Sequence, residues 1–407
     1  MEKIGNYITG YIKGKTPKIL YDYMQEGTLP YLSPDYLRGK GLPEQYAECS
    51  SNSILVDDGE VIILWDGSNA GEVLISKSGI LASTMTVLEF NEETIDKKYF
   101  GYAFQNLEYI LKAKTAGSGI PHADKGIIKR LDFYKPGKTE QAAIANILSK
   151  VDEAITSVQN SIAAAERLKK SLMQNLLTGK MKPDGTFRSP EEYYIDEKFG
   201  KVPLGWEVKK VQELSRQVTD GEHQTPERTS EGYYLLSARN IKNGYLSLDD
   251  VDYIPEKELL RIQKRCNPQG GDILISCSGT IGNVCIVPYG FVGGMVRSAA
   301  LVKLKKNMIE PQFAELMLQS HFLQNQMKVA VASSVQGNIF QGAIRNLRMF
   351  YPKDSSERLA ITNCLHQFDM DIASKQKKVI VLERLKKSLM QNLLTGKVRT
   401  RNTRFNK

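Results

Sequence analysis

The chain has 407 residues, 41% apolar and 25% charged, with a net charge of +9. That is the composition of a globular protein too long for one ordinary core, so two or more domains are expected. No stretch approaches eighteen uninterrupted apolar residues, and MEKIGNYITGYIKGK at the start has no apolar signal region, so a membrane or exported protein is not expected. Cys49, Cys266, Cys277, Cys285 and Cys364 form no CxxC pair and have no nearby histidine. Neither a zinc site nor a disulfide framework follows, and the expectation is a reduced, cytoplasmic protein.

In chain order, residues 1–138 hold 16 Lys+Arg against 18 Asp+Glu and read as a mixed α/β domain. Within it, GEVLISKSG (71–79) has the form of a turn, a buried strand and a second turn. Residues 139–180 read as one long helix. Ile144, Leu148, Val151, Ile155, Val158, Ile162 and Ala165 step by four and three, as in a heptad seam. The next step lands on Lys169, so the stripe is expected to change phase and continue through Leu168, Leu172 and Leu176, with Gly179 as the stop. A linker (181–200) leads to a second globular domain (201–355) with 19 Lys+Arg against 15 Asp+Glu. A second long helix (356–398) and a basic tail (399–407) close the chain. Residues 356–407 hold 12 Lys+Arg against 4 Asp+Glu, so much of the excess charge lies there. A basic end serves a polyanionic partner or plain solubility equally well.

The chain repeats itself at a shift of 217 positions: ERLKKSLMQNLLTGK occurs at 166–180 and again at 383–397. The match extends upstream, with Glu140 on Glu357, Asp152 on Asp369 and Ile155 on Ile372. The second helix carries Ile361, Leu365, Phe368, Ile372, Val379, Leu382, Leu385, Leu389 and Leu393, with Lys375 as a polar exception. Fainter echoes pair GEVLISKSG with GDILISCSG (271–279), KGIIKRLDFYKP (125–136) with QGAIRNLRMFYP (341–352), and GKTP (14–17) with GEHQTP (221–226). The expected fold is α+β, or mixed: two α/β globular domains separated by two long helices that form an antiparallel coiled coil, pseudo-twofold symmetric. Helices of about 40 residues are roughly 60 Å long. Two domains so spaced suit half-sites on duplex DNA, whose turn is about 34 Å.

This layout resembles the specificity subunit of type I restriction-modification systems over nearly the whole chain. FGKVPLGWEVKKVQEL (199–214), DGEHQTP (220–226), GDILISCSGTIGN (271–283) and the close of each helix carry the resemblance. One departure is that the first domain lacks a counterpart of PLGWEVKKVQEL; either it is dispensable there or the coding start lies upstream. The resemblance implies two target recognition domains, each reading one half of a split double-stranded DNA site, with the helices as spacer and ruler. It implies docking of two modification subunits, which would bring S-adenosylmethionine, and of restriction subunits in some systems, with no membrane. The chain itself would be non-catalytic. In agreement, it has no NPPY-type tetrapeptide, no FxGxG or GxxxxGK[ST] loop and no carboxylate–lysine nuclease cluster; Asn267-Pro268 runs on into Gln269-Gly270.

Base reading needs polar forks and hydroxyls on loops. In the second domain these are His223, Gln224, Thr225, Arg239, Asn240, Ser278, Thr280, Gln336 and Asn338, with Arg297 and Arg345 for phosphates or bases. In the first they are Lys15, Thr16, Ser33, Ser76, Lys77, Ser78 and the loop KTAGSGIPHADK (114–125). The plain alternative for each is a turn or N-cap residue. A domain of net −2 has no broad electrostatic footprint and would need a local patch. The four histidines, His122, His223, His321 and His366, have no metal-ligand spacing and read as surface or structural residues. Identity of the repeat on its polar face points to one partner surface used twice, through Arg167, Lys169, Lys170 and Gln174, and Arg384, Lys386, Lys387 and Gln391. The competing functions are a coiled-coil scaffold without DNA binding, the specificity subunit of a methyltransferase-only system, and a free-standing enzyme.

Overall fold

The computed structural model describes residues 1–39, 41–115, 121–334 and 337–400. The chain forms two compact units, Met1–Asn160 with Lys375–Lys407, and Ser161–Ser374. The two long helices, α1 (Lys138–Leu176) and α2 (Ser355–Leu393), each have 39 residues. Each unit is therefore built from one globular region, the first part of the helix that follows it and the last part of the other helix.

Within each unit the same sheet recurs. In the first, a four-stranded antiparallel sheet runs Ile8–Lys13, Met85–Phe90, Val61–Leu64, Val73–Ile75; in the second, Ser215–Asp220, Ala299–Leu304, Ile273–Ser276, Val284–Ile286. Its inner strands are buried on both faces, which is why VIIL and ILIS read as unbroken apolar runs. Val61 and Ile63 face one core with Phe100, Phe104 and Leu88, while Ile62 and Leu64 face another with Leu32, Leu81 and Met85. Ile273 and Ile275 against Leu274 repeat the alternation. A second, smaller sheet covers the outer face. It holds one parallel pair in each unit, Thr28–Leu32 with Gly79–Leu81 and Tyr233–Leu236 with Gly293–Met295.

This topology corrects one internal echo. Ile273–Ser276 is an inner strand, and its counterpart by sheet order is Val61–Leu64, not the edge strand Val73–Ile75. GDILISCSG thus corresponds to GEVIILWDG (59–67), with Gly271 and Gly59 both at positive φ (+89° and +87°). The missing PLGWEVKKVQEL also has a trace in the first unit. Trp206–Lys210 pairs with Arg348–Pro352, and Glu2–Lys3 pairs with Asp132–Phe133 in the same role.

Inside each unit the helix segments run antiparallel. In the second, Lys169 pairs with Asp369, and Leu176 and Leu177 share a core with Ile361, Leu365 and Trp206. In the first, Lys386 Nζ lies 2.7 Å from Asp152, and Leu393 and Leu394 share a core with Ile144, Leu148 and Phe104. The seam does not change phase as the sequence led us to expect. Leu168 and Leu385 are 52% and 46% exposed. The heptad continues instead through Ala165, Lys169, Leu172 and Leu176, and through Leu382, Lys386, Leu389 and Leu393. A lysine fits a seam because its four-carbon stem packs along apolar surface while the ammonium reaches a carboxylate across it. Both ion pairs are the same pair under the 217-residue shift.

The repeat ends in a turn. Gly179 and Gly396 take φ of +66° and +73°, and each donates its N–H three residues back, to Leu176 and Leu393. A Cβ would meet the Trp206 ring at 3.1 Å in one case and the Tyr134 ring at 2.8 Å in the other, so glycine is required twice over. Beyond each glycine an arginine turns back onto the first turn of the other helix: Arg188 pairs with Glu357, and Arg399 with Glu140 at 2.6 Å.

Candidate nucleic-acid interface and partner grooves

In the second unit three separate stretches converge on the turn Val296–Ser298, and a fourth joins them through Cys277. The Arg297 N–H donates to Glu222 O (3.0 Å), Cys277 N–H to Ser298 O (2.8 Å), and Ala238 N–H to Ser298 Oγ (3.0 Å). Ile339 N–H reaches Cys277 O at 3.1 Å. The loops bearing His223, Gln224 and Thr225, Arg239, Ser278 and Thr280, Arg297, and Asn338 are thereby gathered. His223, Gln224, Thr225, Arg239, Thr280 and Arg297 are exposed, and Ser278 and Asn338 partly so. Gly221 sets the first loop against this turn; a Cβ there would lie 2.4 Å from Met295 O.

Three expected contacts have other work. Asn240 is buried, its Oδ1 accepting from the Ser237 N–H and its Nδ2 donating to Ser247 O and Asp250 O. It is a turn-holding residue and is withdrawn as a base reader. Arg239 spends its guanidinium on Asp252 (2.9 Å) and Asp250 O. Arg345, on the helix Gln341–Asn346, donates to Val218 O at 2.8 Å. Gln336 lies outside the described residues.

In the first unit the corresponding turn is Ser83–Thr84. Thr16 Oγ1 donates to Ser83 Oγ (2.9 Å), and Trp65 and Asp66 both donate N–H groups to Thr84 O. Gly14 fixes the strand end here, since a Cβ would lie 2.1 Å from Ala82 O, and Lys15 and Thr16 are exposed. Ser76, Lys77 and Ser78 are not in this gathering. Ser76 is buried, accepting the Glu60 N–H and donating to Asp57 O; Lys77 lies over the Tyr36 ring, and Ser78 N–H is taken by Asp58. They followed from pairing the wrong strands, and the residues that stand in their place are Asp66, Ser68 and Asn69. Ser33 is the N-cap of Pro34–Leu37. Of the loop 114–125, residues 116–120 lie outside the described set, while His122 is brought onto Asp66. His122, within that candidate loop, reads from the sequence only as a surface or structural residue, because its partner is 56 residues away and no local pattern marks such a pair.

The repeated segment lines a groove in each unit. In the second, about 1090 Å³ lies between Lys170, Met173, Gln174, Thr178 and Lys180 and the helix His321–Ala332. In the first, about 940 Å³ lies between Lys387, Met390, Gln391, Thr395 and Lys397 and the helix Lys97–Ala113. These five residues of one wall are the same under the 217-residue shift, and Lys386 also lines the first groove. The other wall differs, with Phe322, Asn325 and Val329 in one and Gln105, Tyr109 and Lys112 in the other. Arg167 and Arg384 are exposed but line neither groove. Lys169 and Lys386 are committed to the helix seam, so their duplication is explained within each unit.

Among the described residues no group of three His, Cys, Asp or Glu is placed to hold a metal ion, and no helix is long and apolar enough to cross a membrane. The family model of the type I restriction modification DNA specificity domain matches twice, over residues 4–167 and 203–384. The chain belongs to that family. The specificity subunit of the type I restriction enzyme MjaVIII of Methanocaldococcus jannaschii is 31% identical over 99% of this chain and 93% of its own. The fold is also that of a solved type I restriction-modification S subunit from M. genitalium, with a TM-score of 0.60 at 17% identity, covering 97% of this chain and 95% of that one. A chain from a study of complex assembly and conformational transition of the type I system gives 0.55 at 13% identity, with 98% and 97% covered.

Proposed function

We propose that this chain is the DNA-recognition subunit of a type I restriction-modification complex and carries specificity rather than catalysis. Each unit reads one half of a bipartite duplex site through its gathered loops. The observation that carries this reading is the twice-built gathering: in each unit, polar side chains from distant parts of the chain meet on one turn, on the same sheet framework but with different residues. Different loops on one frame are what two different half-sites require. The paired helices set the spacer.

The two grooves dock two modification subunits, one per unit, through the wall that the repeat keeps constant. Those subunits form the adenine methyltransferase and bring S-adenosylmethionine, and restriction subunits complete the complex in the cytoplasm. The test is base-specific retention of duplex DNA by the chain purified with its modification subunit. Retention of a cognate duplex over a scrambled one supports the reading. Equal retention of both, or of neither, would reduce the chain to a scaffold.

A further inference from the structure

A carboxylate–imidazole–cation trio stands at the same point of the fold in both units. In the first, Asp66 accepts from Lys13 Nζ at 2.8 Å and meets His122 Nδ1 at 2.6 Å. In the second, Asp220 accepts from Arg265 Nη2 at 2.6 Å and meets His223 Nε2 at 2.8 Å, with the same Arg265 nitrogen 3.2 Å from the ring. Lys13 and Asp220 are the last residues of corresponding strands, Ile8–Lys13 and Ser215–Asp220, and each is followed by the glycine that sets the candidate loop. The parts come from different places in the chain. The carboxylate is on a turn in one unit and a strand end in the other, and the cation is on a strand end in one and beyond the helix Glu256–Gln263 in the other. What persists is the chemistry.

Stability is a weak reason for that persistence, because exposed ion pairs contribute about 0–1 kcal/mol and the two histidine side chains are 51% and 52% exposed. Burial pushes both aspartates up, and their basic neighbours more than reverse it, so both carboxyls are held below their ordinary value and stay charged. Each aspartate takes one ring nitrogen, which fixes the imidazole and leaves Nε2 of His122 and Nδ1 of His223 without a partner among the described residues. Further cations stand alongside: Lys125, whose ammonium lies 4.8 Å from the Tyr11 ring and 5.9 Å from the Trp65 ring, and exposed Lys15 in the first unit; exposed Arg297 in the second. In the first unit, Lys13, Lys15 and Lys125 against Asp66 make a local positive patch on a region of net −2.

Resting on the proposed function, we infer that His122 and His223 each contact a DNA backbone phosphate beside the half-site, oriented by Asp66 and Asp220. In the bound state the imidazolium bridges two anions, the aspartate on one nitrogen and a phosphate oxygen on the other. Such a contact positions the unit without reading sequence. The charged groups facing the rings are Lys13 and Asp66 in one unit, and Asp220 and Arg265 in the other.

The experiment uses the assembled complex and the duplex that it methylates, with His122→Gln, His223→Gln, Asp66→Asn and Asp220→Asn, and thermal melting to show that each variant folds. Each histidine variant is expected to bind roughly tenfold more weakly. The slope of log affinity on log salt should shrink by about 0.9 per lost phosphate contact. The methylated motif should stay unchanged, and each aspartate variant should follow its histidine in the salt slope. Binding within twofold of the unsubstituted complex would overturn the inference, as would an altered motif with an unchanged salt slope. Failure of the unsubstituted complex to prefer any duplex would bring down the functional reading itself, and this inference with it.

Discussion

Glu315, on the helix Pro311–Gln319, has its Oε1 buried with no hydrogen-bond partner among the described residues. Burial pushes its carboxyl up to about 7 from 4.5; the Ile286 amide and Lys169 pull it back in part, and Asp369 adds to the rise. Below pH 4.5 the group is protonated in the folded and unfolded chain alike and costs nothing. Between 4.5 and 7 the folded state holds a proton that the unfolded state has released, so stability falls as pH rises. Above 7 the full cost of a buried charge is present. At about 1.4 kcal/mol per unit, the loss across that window is roughly 3 kcal/mol. The other shifted carboxylates of this unit leave the window clear. Glu222 is held low by the Gln224 amide, and Asp220 and Glu310 have their burial outweighed by Arg265 and Arg358, so their contributions are complete before pH 5. Glu315→Gln should therefore gain roughly 2–3 kcal/mol at pH 8 and almost nothing at pH 4.5. Urea unfolding at pH 5, 6, 7 and 8 measures this, in a Trp65→Phe background that leaves buried Trp206 as the reporter of the second unit. Parallel pH curves for Glu315 and its glutamine variant, or a less stable variant at pH 8, would refute the reasoning.

The two arginine clamps should differ in strength although their glutamates, Glu140 and Glu357, are equivalent under the 217-residue shift. Arg188 is 6% exposed and Arg399 is 65% exposed. Breaking a buried pair costs about 3–5 kcal/mol, so Glu357→Gln should lower the melting temperature clearly and Glu140→Gln only slightly. Gly221→Ala drives a Cβ to 2.4 Å from Met295 O and should cost about 1–3 kcal/mol in urea unfolding while displacing the His223 loop. Lys170→Glu with Lys387→Glu alters the repeated groove wall and spares the seam. It should weaken assembly with the modification subunit in size-exclusion chromatography while leaving the melting temperature unchanged.

The duplication, the two long helices and the mixed α/β character were legible because they rest on identity at a fixed shift and on heptad spacing, which need no tertiary knowledge. The seam phase was not. Lys169 and Lys386 look like breaks in an apolar stripe, and only the opposing Asp369 and Asp152 show that a lysine belongs there. The loop around His223 was legible because strand, glycine and polar residues are contiguous in DGEHQTP. Its counterpart in the first unit is assembled from Lys13, Asp66 and His122, three points on distant strands and loops, and the letter match of GEVLISKSG to GDILISCSG pointed to an edge strand instead. Asn240 failed as a candidate for a general reason. An asparagine that holds its own turn and one that reads a base have the same sequence surroundings and differ only in burial.

The central claim is that each unit specifies one half of a split site. The measurement that tests it most directly is a map of methylated bases in cells expressing this chain with its modification subunit, repeated after exchanging the loop 221–226 for that of a relative. A bipartite motif in which only one half changes is the predicted result. Methylation that ignores the exchange, that changes in both halves, or that persists when the chain is deleted would contradict the account.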